Sequence, residues 1–146
     1  MLDLAFRNST KSKAWGPAFF TRLLQRAIRI TKVSVPHIEV SVTLVGPARI
    51  RVLNKKYRHK DTPTDVLSFP LYEPLGNRYT EGVLGDIVIC VSECVRQAQQ
   101  QNISVKEYMA WATVHGFLHL LGYDHEQSPK KAKQMVTLER RILTTQ

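Results

Sequence analysis

The sequence predicts an α+β domain close to the α/β class, with a small four-stranded sheet packed against about five helices. Three observations predict it. Strand-like alternation and helical periodicity take turns through the first half of the chain, and the end is helical throughout. The length, 146 residues with 43% hydrophobic side chains, suits one domain spanning residues 1–146, with a hydrophobic core that needs no staples. No internal repeat, low-complexity tract or Gly/Ser linker divides it.

Leu2–Arg7 alternates apolar and polar residues and reads as a first strand. The segment up to about Lys32 is basic, contains serines and is poor in acids, a composition shared with organelle transit peptides. The alternation places it in the fold instead. Pro17–Thr31 reads as a helix, with Phe20, Leu23, Leu24, Ala27, Ile28 and Ile30 near helical spacing. Arg22, Arg26 and Arg29 line one exposed face, either simply solvated or placed to touch a polyanion such as RNA. His37–Val45 alternates again, with Ile38, Val40, Val42 and Leu44 on one face. Gly46-Pro47 opens a basic helix to about Tyr57, because proline is preorganised for the first helical position.

Asp65–Phe69 is a short strand stopped by Pro70, and Leu71–Gly82 holds the loop formers Pro74, Gly76, Asn77 and Gly82. Leu84–Cys90 is a strongly apolar strand, after which Ser92 is positioned to cap a helix ending near Gln101. Ser104-Val105-Lys106-Glu107 has the Ser-x-x-Glu start signal of a helix that closes at Gly122. Ser128-Pro129 begins a last helix through about Leu143. No run of ~18 apolar residues occurs, so no membrane helix is expected. Cys90 and Cys94 read as small, reduced core residues, which fits a reducing, cytoplasmic compartment.

Charge is distributed unevenly. Residues 1–60 hold 13 Lys and Arg against two acids, Asp3 and Glu39, whereas residues 61–146 hold 8 against 10. The whole net surplus of +9 therefore arises in the first part. Such asymmetry suits a polyanionic partner or, more plainly, a charged solvated surface.

The chemistry concentrates in His115-Gly116-Phe117-Leu118-His119-Leu120-Leu121-Gly122-Tyr123-Asp124-His125. Residues four apart on a helix share a face, so His115 and His119 can reach one ion. A turn after Gly122 can return His125 to the same ion, which places a metal site at the end of a C-terminal helix. Three neutral imidazoles leave one tetrahedral zinc position open, as a catalytic site does. Imidazole favours zinc over magnesium or calcium, while spacing alone admits nickel, copper or iron. Gly116 stands where the zinc-peptidase motif His-Glu-x-x-His has its general base, so a peptidase is disfavoured. Asp124, beside a ligand, is a candidate to orient a histidine or relay protons, and Asp86 to contact the site or cap a turn.

A second stretch runs from Asn54-Lys55-Lys56-Tyr57-Arg58-His59-Lys60-Asp61 through Thr62-Pro63-Thr64-Asp65-Val66-Leu67-Ser68-Phe69-Pro70. The Arg58 guanidinium fork suits two phosphate oxygens, or else a salt bridge to Asp61 or Asp65. Lys55 and Lys56 are candidate RNA contacts. Tyr72 and Tyr79 in the long loop are candidates to stack on unpaired bases, whereas Tyr57 is expected in the core. His37 and His59 read as surface residues.

Together with Leu84-Gly85-Asp86-Ile87-Val88-Ile89, these stretches closely resemble the YbeY family of bacterial endoribonucleases, the rRNA maturation factors. The resemblance runs from about Leu44 to the end. It implies a single domain with a small mixed sheet and a zinc ion on His115, His119 and His125, with the catalytic arginine at Arg58. It implies metal-dependent cleavage of single-stranded RNA, maturation of the 3′ end of 16S rRNA and ribosome quality control. The partners implied are ribosomal RNA, the small ribosomal subunit and ribosome-associated proteins. The sequence stops soon after its last helix, without the acidic tail some members carry, so tail-mediated contacts are not expected. Competing readings are a non-catalytic, zinc-stabilised rRNA-binding assembly factor and a zinc hydrolase of another substrate.

Overall fold

A computed structural model describes residues 1–33, 36–71, 82–124, 126 and 128–144. In chain order the elements are β1 (Leu2–Asn8), α1 (Pro17–Thr31), β2 (Ile38–Val45), α2 (Pro47–Arg58), β3 (Val66–Pro70), β4 (Val83–Cys90), α3 (Val91–Gln101), α4 (Val105–Leu120) and α5 (Pro129–Thr144). The sheet order is β1-β2-β4-β3, with β1, β2 and β4 parallel and β3 antiparallel to β4 at the edge. The architecture is therefore α+β with a four-stranded mixed sheet.

Local chemistry accounts for most boundaries. Pro17 and Pro47 start α1 and α2 from extended glycines. Ser104 Oγ accepts the Glu107 N–H at 3.1 Å to start α4, and Ser128 Oγ accepts the Lys131 N–H at 3.1 Å to start α5. The start of α3 departs from expectation: the helix begins at Val91, Cys90 occupies the cap position, and no side chain caps it. Ser92 lies inside the helix, its hydroxyl 3.4 Å from Cys90 Sγ. The apolar β4 runs straight into α3, leaving no turn for Ser92 to cap.

The sheet has one heavily covered face. Ile38, Val40, Val42 and Leu44 alternate onto it from β2 and join Phe20, Leu23, Leu24 and Ala27 of α1 in the main core. Cys94 and Ala98 of α3, Met135 and Ile142 of α5, and most of α4 complete that core. Helix α4 buries nine of its 16 residues against several elements, and only its first turn, with Lys106 and Glu107, is polar and exposed. Among the described residues the opposite face carries α2, whose Ile50 packs with Val45, Leu67, Val88 and Cys90. Both cysteines are free and buried, and burial raises the Cys94 thiol pKa. No helix among the described residues is long and apolar enough to cross a membrane.

One irregularity in β4 divides its side chains between the faces. Glu39 pairs with Val83 but Val40 pairs with Gly85, so Leu84 is an extra residue in the ladder. Gly85 adopts φ +139°, and a Cβ there lies 2.2 Å from the Phe69 carbonyl oxygen, so no larger residue fits. Past the bulge, Ile87 and Ile89 join Leu84 in the main core, while Asp86 is exposed.

Candidate active site

Helix α4 lies along the edge strand β3, and the contact between them sets the site. Gly116 faces the sheet so closely that a Cβ there lies 2.8 Å from Ile87 Cγ2, 3.1 Å from Ser68 Oγ and 3.2 Å from Val66 Cγ2. The Ser68 hydroxyl donates to the Gly116 carbonyl at 2.8 Å, pinning strand to helix. A side chain at position 116 would have to displace Ile87 and Val66, so the packing, like the sequence, disfavours the zinc-peptidase arrangement.

With Gly116 against the sheet, His115 and His119 turn toward a cleft of about 190 Å³. Arg58, Asp65, Val66, Ser68, Pro70 and Trp111 line the rest of it. The two imidazole rings are 4.7 Å apart and nearly perpendicular, and their Nε2 atoms are 3.1 Å apart. Two nitrogens sharing one tetrahedral zinc at ~2.0–2.1 Å lie ~3.3 Å from each other, so the observed separation fits a shared cation.

The opposite ring nitrogen supports that fit. His115 Nδ1 donates to Glu139 Oε1 at 2.9 Å. A carboxylate only accepts, so this bond places a proton on Nδ1 and turns Nε2 toward His119. Glu139 is 8% exposed, and its second oxygen takes the Trp111 indole N–H at 2.9 Å. The Trp111 ring stacks on His115 with centroids 4.6 Å apart. Histidine, tryptophan and glutamate thus hold one another across α4 and α5.

The other candidate residues are spread around and beyond this cleft. Arg58 ends α2 at the rim, its Nη2 3.9 Å from Glu126 Oε1. The two acids considered as its partners are engaged elsewhere. Asp61 pairs with Arg51 Nε at 2.9 Å and lies 3.9 Å from Lys55 Nζ. The Arg51 hydrogen bond holds the Asp61 carboxyl below its ordinary pKa. Asp65 accepts the Tyr108 hydroxyl, the Thr64 hydroxyl and the Val66 N–H. Burial, and then the bond to Asp65, raise the Tyr108 pKa.

Asp124 accepts the Glu126 N–H at 2.9 Å, a turn-forming bond. Asp86 is not at the histidine pair; it lines a separate trough on the open sheet face. Lys55 and Lys56 are exposed. His125, Tyr72 and Tyr79 lie outside the described residues.

Tyr57 corrects an expectation. It is 53% exposed, with its ring edge-on to Phe69, because it extends the Ile50–Asn54 stripe into the last turn of α2, at the rim. Glu139 and Trp111 were not singled out from sequence. The available signal was an acid at helical spacing between the apolar Met135 and Ile142.

His37, read as a surface residue, is exposed and forms a further group with Asp3 and Glu39. One ligand atom from each lies within 4.8 Å of the others, a geometry that could hold a metal. With side chains about half exposed, the group is equally satisfied as solvent-screened ion pairs.

The family model described as endoribonuclease YbeY matches residues 6–146. The chain belongs to the YbeY family. An endoribonuclease YbeY from Sulfurihydrogenibium is 42% identical over 113 residues, covering 77% of this chain and 73% of the relative. One from Pseudomonas entomophila is 39% identical over 143 residues, covering 98% and 88%. Among solved structures, that of TM1509 from Thermotoga maritima matches with a TM-score of 0.65 and 30% identity, over 97% of this chain and 87% of that one. The YbeY match includes β3, α4 and α5, the elements that build the cleft.

Proposed function

We propose that the cleft of His115 and His119 is a zinc site that cleaves single-stranded RNA, with 16S ribosomal RNA at its 3′ end as the substrate region. The endoribonuclease role rests on family membership. The metal reading rests on one observation: two Nε2 atoms 3.1 Å apart, one ring having its other nitrogen committed to a buried carboxylate. His125 would supply the third ligand. A zinc ion held there supplies Lewis acidity and lowers the pKa of water toward neutrality.

The chain's own residues supply position and charge. Glu139 and Trp111 fix the His115 ring from its edge and its face. Ser68 holds α4 against β3. Arg58 reaches the same cleft from the rim, where its fork can grip the scissile phosphate and stabilise charge building on the phosphoryl oxygens. Ribosomal RNA, the small subunit and its associated proteins are the proposed partners, in a cytoplasmic setting. The basic excess of residues 1–60 supports a polyanionic ligand.

The test compares wild type, Arg58→Ala and His115→Ala in RNA cleavage, with bound zinc measured on each. Arg58→Ala should keep metal and fold while cutting cleavage at least ~10-fold. His115→Ala should lose stoichiometric zinc. Full cleavage by Arg58→Ala, or full zinc retention by His115→Ala, overturns the corresponding role. End-group analysis decides the nucleophile, since a 2′,3′-cyclic phosphate excludes direct attack by water.

A further inference from the structure

Three concavities adjoin one another around the edge strand β3. The histidine cleft shares Arg58, Ser68 and Pro70 with a second cleft of about 620 Å³. That second cleft shares Tyr57 and Phe69 with a trough of about 650 Å³ on the open face of the sheet. A ligand leaving the histidine pair over β3 therefore passes Arg58 first and the Tyr57–Phe69 pair next. Arg49 and Arg7 line the trough beyond.

Chemistry along this route suits one kind of occupant. Arg58, His59 and Lys60 line the second cleft, with Glu126 the opposing acid. Asp86 opposes Arg7 and Arg49 in the trough. The balance is cationic and the midpoint is aromatic. Tyr57 presents 53% of its surface, Phe69 backs it edge-on with centroids 5.1 Å apart, and Lys56 Nζ sits 5.2 Å from its ring centre. An exposed ring buttressed by a second ring and flanked by cations is how single-stranded nucleic acid is held, base on the ring and phosphates on the cations. Duplex RNA keeps its bases stacked inside and offers none to such a ring.

We propose that Tyr57, backed by Phe69, is a stacking platform for a nucleobase next to the scissile phosphate, and that the strand continues over the open sheet face toward Arg49 and Arg7. This deepens the ribonuclease reading and rests on it. Tyr57 precedes Arg58 by one peptide, ~3.8 Å between Cα atoms, so the stacked base belongs to a nucleotide neighbouring the one Arg58 grips. Tyr57 is a positioning and specificity residue, since it touches a base and no reacting atom.

The experiment reads binding apart from cleavage. A single-stranded RNA of about 12 nucleotides carrying 2-aminopurine, with a 2′-O-methyl phosphorothioate backbone that resists cleavage, is titrated into zinc-loaded wild type, Tyr57→Ala, Tyr57→Leu and Tyr57→Phe, with quenching of the base as the signal. Tyr57→Leu retains apolar packing on Phe69 and guards against a mere loss of fold. Tyr57→Ala and Tyr57→Leu should bind at least about fivefold more weakly with reduced quenching, and Tyr57→Phe should match wild type. Duplex RNA should bind all four alike. Wild-type affinity in Tyr57→Leu, or an equal loss for duplex, overturns the platform. These outcomes are independent of the Arg58→Ala cleavage assay, so the platform can fail while the ribonuclease reading stands.

Discussion

Helices α4 and α2 both bring side chains to the cleft, yet they are built in opposite ways. Helix α4 is enclosed by α1, α3, α5 and the sheet, and nine of its residues are buried. Helix α2 buries only Ile50 and Asn54, and every residue from Lys55 to Arg58 is exposed. The histidine pair is therefore fixed by packing over its whole helix. Arg58 is fixed by how α2 stops. His59 takes the left-handed conformation at φ +61°, its N–H reaching Lys55 O, while the Lys60 N–H reaches Asn54 O. The Asn54 amide donates to Thr62 O at 2.9 Å and ties down the loop that follows. A metal site needs ligands held to within tenths of an ångström, whereas a phosphate grip tolerates an exposed arginine that adjusts to its ligand.

That contrast can be broken most forcefully in the core. Phe117→Ala, at a fully buried position of α4, should cost about 3–5 kcal/mol in denaturant unfolding. Val52→Ala, at a 55% exposed position of α2, should stay within about 0.5 kcal/mol. Similar losses at both would show that α2 is as firmly integrated as α4. A smaller effect sharpens the role of the α4–α5 contact. Glu139→Gln keeps the size of the side chain and removes its charge, and should weaken zinc binding about 10–100-fold in competition with a chelator. Unchanged affinity would leave Glu139 with a packing role alone.

The smallest effect belongs to the surface of α2. The Asp61 pKa is depressed, first by its hydrogen bond from Arg51, so the pair stabilises the fold above the ordinary aspartate pKa. That contribution disappears as pH falls through the depressed value. In Arg51→Ala the Asp61 carboxyl should titrate nearer its ordinary value by NMR. An unaltered titration would mean that Lys55, 3.9 Å away, holds the carboxylate by itself.

Periodicity and helix-start chemistry made the elements legible, because proline after glycine and serine before an amphipathic run act locally. Sheet order was not legible. Nothing local says that β3 pairs antiparallel beyond β4, which depends on the bulge at Leu84-Gly85 and on the seat α4 finds against Ser68. The pairing of His115 with His119 follows from helical spacing alone. Glu139 required knowing that α5 docks on α4, 24 residues away in sequence. Tyr57 was misplaced because it shares the helix face of Ile50 and Asn54, which suggests burial, while it sits in the last turn of α2, where that face is exposed.

The bond between His115 and Glu139 joins two things that seem separate, the chemistry on α4 and the attachment of α5. Reciprocity of linked equilibria requires that whatever tightens one tighten the other by the same free energy. On the proposed metal reading, an occupied cleft would fasten the C-terminal helix, and peeling that helix away would loosen the hold of the cleft on its cation. On that reading, a substitution that loosens α5 should weaken metal binding even where it lies far from the imidazoles.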